Sequence, residues 1–193
     1  VCAAPGGKTA QLLSNDLNVT SIESNDIRAK ILNNNLTRLN LKTKLIIEDA
    51  NQYRPEKLAD AVLLDAPCSS SGTLRKNPDI LWRLTYVKNN YVSNMHSLLK
   101  IQSDLLNSAS KMLKLGGLLV YSVCSIDKDE GINQIVDFMK KNSKFVIDPI
   151  NKSEVDVTKQ VITKEGFIRT LPFFNSELGG MDGFFIARLI KTN

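Results

Sequence analysis

With 193 residues, 42% of them hydrophobic, the chain is long enough to bury one core and short enough that a single domain over residues 1–193 is the expectation. No apolar run approaches the roughly 18 residues of a membrane helix, so the chain reads as soluble and cytoplasmic. Three scattered cysteines, Cys2, Cys68 and Cys124, and one histidine, His96, argue against a disulfide framework and against a zinc or other metal site. Lysine and arginine outnumber aspartate and glutamate by 25 to 20, a net charge of +5. That excess suits either a polyanionic partner such as RNA or a merely solvated surface.

The chain opens on VCAAPGGKTA, a glycine loop with no initiator Met before it. We therefore expect a fragment whose preceding strand, and any targeting signal, lie upstream. The loop looks like a phosphate cradle, but the pattern G-x-x-x-x-G-K-[ST] needs a glycine where Cys2 stands. Residues 19–23, VTSIE, then predict a strand ending on Glu23. Ile27, Ile31, Leu32, Leu36 and Leu39 follow at helical spacing. LIIEDA (45–50) and DAVLLDAP (60–67) predict two buried parallel strands ending on Asp49 and Asp65.

The longest helical face runs through Tyr91, Met95, Leu98, Leu99, Gln102, Leu105, Leu106, Ala109, Met112 and Leu113, with Gly116 and Gly117 as its stop. GLLVYSVCS (117–125) predicts the next strand. Asp127 and Glu130 fit a capping box for a helix carrying Ile132, Ile135, Val136 and Met139. Residues 151–182 show no clear period and read as irregular. GFFIARLI (183–190) predicts a last strand, antiparallel to one near 145–150. Alternating strands and helices predict an α/β domain with a parallel sheet, whose ligands belong at the carboxyl ends of its strands.

Glu23, Asp49 and Asp65 all stand at such ends, and Glu23 follows Gly7 by 16 residues. That separation is near the roughly 20 residues at which an acid grips a ribose hydroxyl in nucleotide-binding folds. Any one of the acids could equally cap a helix or face solvent. The stretch DAPCSSSGTLRKNPDILW (65–82) brings a carboxyl and a thiol to a strand end, then Arg75, Lys76 and Trp82 along its exit. Such a loop can lay cations and a ring against an RNA strand. YSVCS places Cys124 at the same sheet edge as Cys68 and Asp65.

VCAAPGGKT, LLDAPCSSSGTLRKNPD, YSVCS and DGFFIARL, in that order through almost the whole chain, resemble the motifs of the Fmu/Sun-type RNA cytosine-5 methyltransferases, most of all the bacterial 16S rRNA members. The resemblance implies a Rossmann-like class I methyltransferase fold: a mostly parallel twisted sheet, an antiparallel last strand and helices on both faces. It implies S-adenosylmethionine as cofactor, with Cys2, Ala3, Ala4, Pro5, Gly6, Gly7 and Lys8 around its methionine part, Glu23 at the ribose, Asp49 at the adenine, and Arg28 and Asp65 close by. It assigns Cys124 as nucleophile, Asp65 as the acid engaging the base and Cys68 as the thiol that helps release product. Arg75, Lys76 and Arg83 would meet RNA, rRNA first and tRNA second, in a protein that is a monomer without metal. Two departures stand out: Glu23 where the family usually has Asp, and Val123 where it often has Thr.

The chemistry needs such residues. Carbon 5 of cytosine is a poor nucleophile, so a thiolate adds to carbon 6 and makes an enamine that can attack a sulfonium methyl. Charge developing on the ring is relieved if Asp65, in a partly dry pocket, donates a proton to N3. The base must be unstacked or single-stranded. Two other readings remain at this point. A P-loop NTPase would use AVLLDA as its magnesium-binding strand, and a non-catalytic RNA-binding module would need none of the thiols.

Overall fold

The computed structural model describes residues 1–86, 91–155 and 161–192, and the side chains of these except 83–86 and 91–94. The backbone forms two compact units, Val1–Lys57 and Leu58–Asn193.

The first unit holds α1 (Gly7–Leu13), β1 (Thr20–Glu23), α2 (Asp26–Arg38) and β2 (Lys44–Ile47). The two strands pair in parallel with Glu23 opposite Ile47, so the carboxyl ends of both face the same edge. α2 starts where Asn25 accepts a hydrogen bond from the Arg28 N–H, with Asp26 in its first turn and Arg38 in its last. Both ends thus match the helix dipole. Its buried stripe is Ala29, Leu32 and Leu36, while Ile27, Ile31 and Leu39 are exposed. The helical period was legible, and of the apolar residues that marked it Leu32 and Leu36 are buried while Ile27, Ile31 and Leu39 face outward. Ala4 of the glycine loop packs against Leu32 and Leu36, with Ala3, Ala10, Leu13, Leu41 and Leu45 around them.

The second unit holds β3 (Ala59–Asp65), α3 (Asp79–Tyr86), α4 (Tyr91–Lys111), β4 (Leu113–Val123), α5 (Ile132–Lys141), β5 (Phe145–Ile147), β6 (Ile168–Thr170) and β7 (Phe184–Lys191). β3 and β4 pair in parallel, and β7 lies antiparallel between β4 and β5. β6 pairs with the opening residues of β7 and β5 with its last ones. The fold is the expected Rossmann-like α/β architecture with an antiparallel last strand, paired with the segment the sequence pointed to. Leu64, Leu106, Ala109, Leu119, Tyr121, Val123, Ile135, Phe185 and Leu189 form the buried centre, and Phe185 meets the rings of Tyr121 and Phe167 edge-on.

Three local expectations are corrected. α4 ends at Lys111 and not at the glycine pair; Met112 and Leu113 are buried, so the core continues the helical period past the helix. Gly116 and Gly117 lie inside β4, where the pairing register jumps between Ala59 and Ala61, and Gly116 has φ +74°. The pair makes a bulge. The capping box at α5 is not formed: Gly131 is the N-cap, with no side-chain cap, and the Asp127 carboxyl receives the Asp129 N–H. Along α5, Ile135 and Phe138 are buried and Val136 is exposed. Residues 151–182 are not wholly irregular either, because they include β6 and short 3-10 turns at Lys152–Glu154 and Ser176–Leu178.

Candidate active site

Because β3 and β4 are parallel neighbours, with Asp65 opposite Ser122, the segments that follow them leave from one edge. The Ala66 N–H donates to the Ser122 carbonyl at 2.9 Å and the Gly72 N–H to the Cys124 carbonyl at 3.0 Å. The Gly183 N–H in turn donates to the Gly72 carbonyl at 2.7 Å. A Cβ on Gly72 would come within 2.0 Å of the Gly183 carbonyl oxygen, so this crossing of backbones requires glycine. The loop after Asp65 is thereby laced to the end of β4 and the start of β7.

The lacing sets the Cys68 and Cys124 sulfurs 3.4 Å apart, both half-buried and both free thiols. Cys124 is pulled down to about 6, chiefly by the hydrogen bond from the Cys68 thiol and also by the Ser70 hydroxyl; burial and the charge of Asp65 oppose this. Ser70, with φ +59°, puts its Oγ 3.5 Å from the Cys124 sulfur. Cys68 is pushed far up by the same thiol contact, by burial and by the charges of Cys124 and Glu130. The contact favours one proton shared between the two sulfurs, with Cys124 shifted toward its anion and Cys68 away from it.

Under the thiols lies a residue whose sequence pattern suggested a helix cap. Glu130 is fully buried and accepts hydrogen bonds from Ser69, Ser125 and Gln102. Nothing in its local pattern distinguishes it from a cap, because its partners Ser69 and Gln102 lie far away along the chain. Ser122, buried opposite Asp65, and Tyr121, whose hydroxyl donates to the Glu130 carbonyl at 2.7 Å, complete the floor.

In the first unit the loop of Cys2, Ala3, Ala4, Pro5, Gly6, Gly7 and Lys8 is held from below. The Ala3 N–H donates to the Ile22 carbonyl at 3.1 Å, and the Ala4 N–H to Glu23 Oε2 at 3.2 Å. Glu23 Oε1 also receives the Asn25 N–H at 3.2 Å. Arg28 Nη2 donates to the Ala4 carbonyl at 2.8 Å and lies 3.8 Å from Glu23, and Asn35 donates to the Pro5 carbonyl at 2.9 Å. The Ala4–Pro5 peptide is cis, and Cys2 and Gly6 have φ of +57° and +104°. Gly7 borders open space, since an added Cβ would meet nothing within 4 Å. Glu23 is only 2% exposed; its carboxylate grips the loop from inside. Asp49, two residues beyond β2, is exposed and receives the Asn51 N–H at 2.9 Å. The structure thus joins Glu23, Arg28 and the glycine loop in one unit, and Asp65, Cys68 and Cys124 in the other.

The proposed RNA-contacting cations are exposed but engaged. Arg75 Nη1 donates to the Gly179 carbonyl at 2.5 Å and Lys76 Nζ to Asp182 at 2.7 Å, so both fasten the loop leading into β7. Trp82 is 69% exposed on α3. The Arg83 side chain lies outside the described residues. Among the described residues there is no group of three metal-ligating side chains and no helix long and apolar enough to cross a membrane.

This fold defines a Rossmann-like α/β domain of the methyltransferase type. A solved structure of NSun6 from Pyrococcus horikoshii with SFG has the same fold, with TM-score 0.75 and 27% identity over 99% of this chain and 46% of that one. The family description "16S rRNA methyltransferase RsmB/F" matches residues 1–190, and the chain belongs to that family. Among its relatives are ribosomal RNA small subunit methyltransferase B of Photorhabdus laumondii, 35% identical over 99% of this chain, and methyltransferase F of Shigella dysenteriae, 32% identical over 100% of it. The chain spans 41% and 39% of those two proteins.

Proposed function

We propose that residues 1–193 are the catalytic domain of an enzyme that methylates carbon 5 of a cytosine in small-subunit rRNA, using S-adenosylmethionine, and that it acts in the cytoplasm as a monomer. The observation that carries this reading is the pair of sulfurs 3.4 Å apart, of which Cys124 is the one shifted toward its anion. Membership of the RsmB/F family supports the RNA substrate.

The glycine loop suits the cofactor: Gly6 takes a backbone conformation that a side chain would strain, and Gly7 leaves its flank open. Residues 2–8 with Glu23, Arg28 and Asp49 would hold S-adenosylmethionine, which supplies an electrophilic methyl group when bound. Asp65, charged before the base enters, takes up a proton from solvent and passes it to N3 as Cys124 adds its sulfur electron pair to carbon 6 of the cytosine; once carbon 5 carries the methyl group, N3 returns that proton to Asp65. Once Cys124 is a thioether, the anion that kept Cys68 protonated is gone, and Cys68 can release its proton to solvent. It then takes the proton from carbon 5; that bond's electrons restore the 5,6 double bond, and the carbon–sulfur pair returns to Cys124. Arg75, Lys76, Arg83 and Trp82 would meet the flanking RNA.

The test uses the full-length protein with small-subunit rRNA and labelled S-adenosylmethionine. Cys124→Ala should abolish methyl transfer and form no covalent RNA adduct. Cys68→Ala should accumulate an adduct that survives denaturing electrophoresis and requires S-adenosylmethionine. Retention of activity in both variants would defeat the mechanism.

A further inference from the structure

Glu130 has no exposed surface, and a buried carboxylate is tolerated only where its oxygens are satisfied. Oε1 accepts from the Ser69 N–H at 2.8 Å and from Gln102 Nε2 at 3.0 Å. Oε2 accepts from the Ser69 and Ser125 hydroxyls, each at 2.5 Å. Ser69 directly follows Cys68, and Ser125 directly follows Cys124. One side chain thus grips the residue after each thiol. Gln102 extends the brace, since its Nε2 also donates to the carbonyl of Pro67, the residue before Cys68, at 2.9 Å. Ser71 closes the ring, with its hydroxyl 2.9 Å from that of Ser125.

We propose that Glu130 is a positioning residue for the methyl transfer: by holding Ser69 and Ser125 on one carboxylate it keeps the Cys68 and Cys124 sulfurs in contact. The inference deepens the reading of the reaction given above and rests on it for its kinetic consequence. Glu130 also faces Cys68 with its charge, as Asp65 faces Cys124. Both loops must stay registered to within a few tenths of an ångström, because a sulfur hydrogen bond weakens quickly with distance and angle. A fixed pair of groups reacts faster than a mobile one.

The experiment compares full-length wild type with Glu130→Gln, Ser125→Ala and Ser69→Ala. Diamide, which accepts the two electrons and two protons released by a thiol pair, reports sulfur contact through the rate of Cys68–Cys124 disulfide formation. Site-resolved iodoacetamide alkylation against pH reports where the anion sits. Glu130→Gln should slow cross-linking by about tenfold and raise the Cys124 alkylation midpoint by about one pH unit, with Cys68 moving the other way. Each serine variant should reproduce part of this. On rRNA, kcat should fall by about tenfold or more while KM stays unchanged.

Wild-type cross-linking rate and midpoint in a folded Glu130→Gln protein would overturn the proposal, as would a loss confined to KM. If Glu130→Gln does not fold, Ser125→Ala decides by the same two readouts. Wild-type protein that transfers no methyl group would defeat the reading of the reaction alone, since the thiol measurements need neither RNA nor cofactor.

Discussion

Two buried glutamates organise two parts of this molecule in different ways. Glu23 holds a loop through the backbone amides of Ala4 and Asn25, with the Arg28 guanidinium 3.8 Å away, and all three partners lie within 19 residues of it. Glu130 holds two loops at once through the Ser69 and Ser125 hydroxyls, the Ser69 N–H and the Gln102 side-chain amide, and its partner Ser69 is 61 residues away. A carboxylate that binds amides fixes the path of a chain. One that binds hydroxyls beside two thiols fixes the distance between reacting atoms. On the proposed reading, the first arrangement would prepare a surface for the cofactor and the second a pair of thiols for chemistry.

Removing each glutamate should separate these roles. Glu130→Ala leaves four donors without their acceptor and should cost about 3 kcal/mol or more of stability, whereas Glu23→Ala orphans two backbone amides and should cost about 2 kcal/mol. Denaturant titration of the full-length variants measures both, and equal losses would mean the hydroxyl contacts add little.

The thiol pair offers the next largest effect. With Cys124 lowered to about 6, its thiolate is present above that pH and lost below it. Its alkylation rate should therefore fall about tenfold from pH 7 to pH 5, while Cys68 stays slow across the same range. An ordinary thiol midpoint for Cys124 would show that the sulfur contact is not maintained in solution.

Shortening Glu23 tests the other glutamate more gently. Asp cannot span both the Ala4 and Asn25 amides, so Glu23→Asp should loosen the loop and change affinity for S-adenosylhomocysteine by about threefold, measured by calorimetry. No change would mean that the loop is held adequately by Arg28 and Asn35.

The smallest expected effect concerns the exposed cations. Replacing Arg75 and Lys76 by Ala should flatten the salt dependence of RNA binding by up to about one unit of log-log slope for each phosphate that the two side chains neutralise. An unchanged slope would leave them with the contacts they make here, to Gly179 and Asp182.

Local pattern was sufficient for the strands that end on Glu23 and Asp65, for the antiparallel last strand and for the loops that carry both thiols; the strand expected to be buried and to end on Asp49 instead stops at Ile47 and has no buried residue. Hydrophobic periodicity is a property of neighbouring residues, and the motif residues follow one another directly. It could not decide what lies beneath them. The same Glu130 that suits a helix cap was drawn inward because hydroxyls and amides from distant loops satisfied its oxygens there. The buried stripe of α2 took in Leu32 and Leu36 but left Ile27 and Ile31 outside and added Ala29, because the surface it meets is centred on Ala4. Gly116 and Gly117 became a bulge within β4, not a helix stop, because the core already required Met112 and Leu113 to be buried. The sequence by itself determined which chemical groups reach the edge of the sheet. Only the tertiary structure decided that two of them touch, because a sulfur–sulfur distance depends on contacts between segments that share no local pattern.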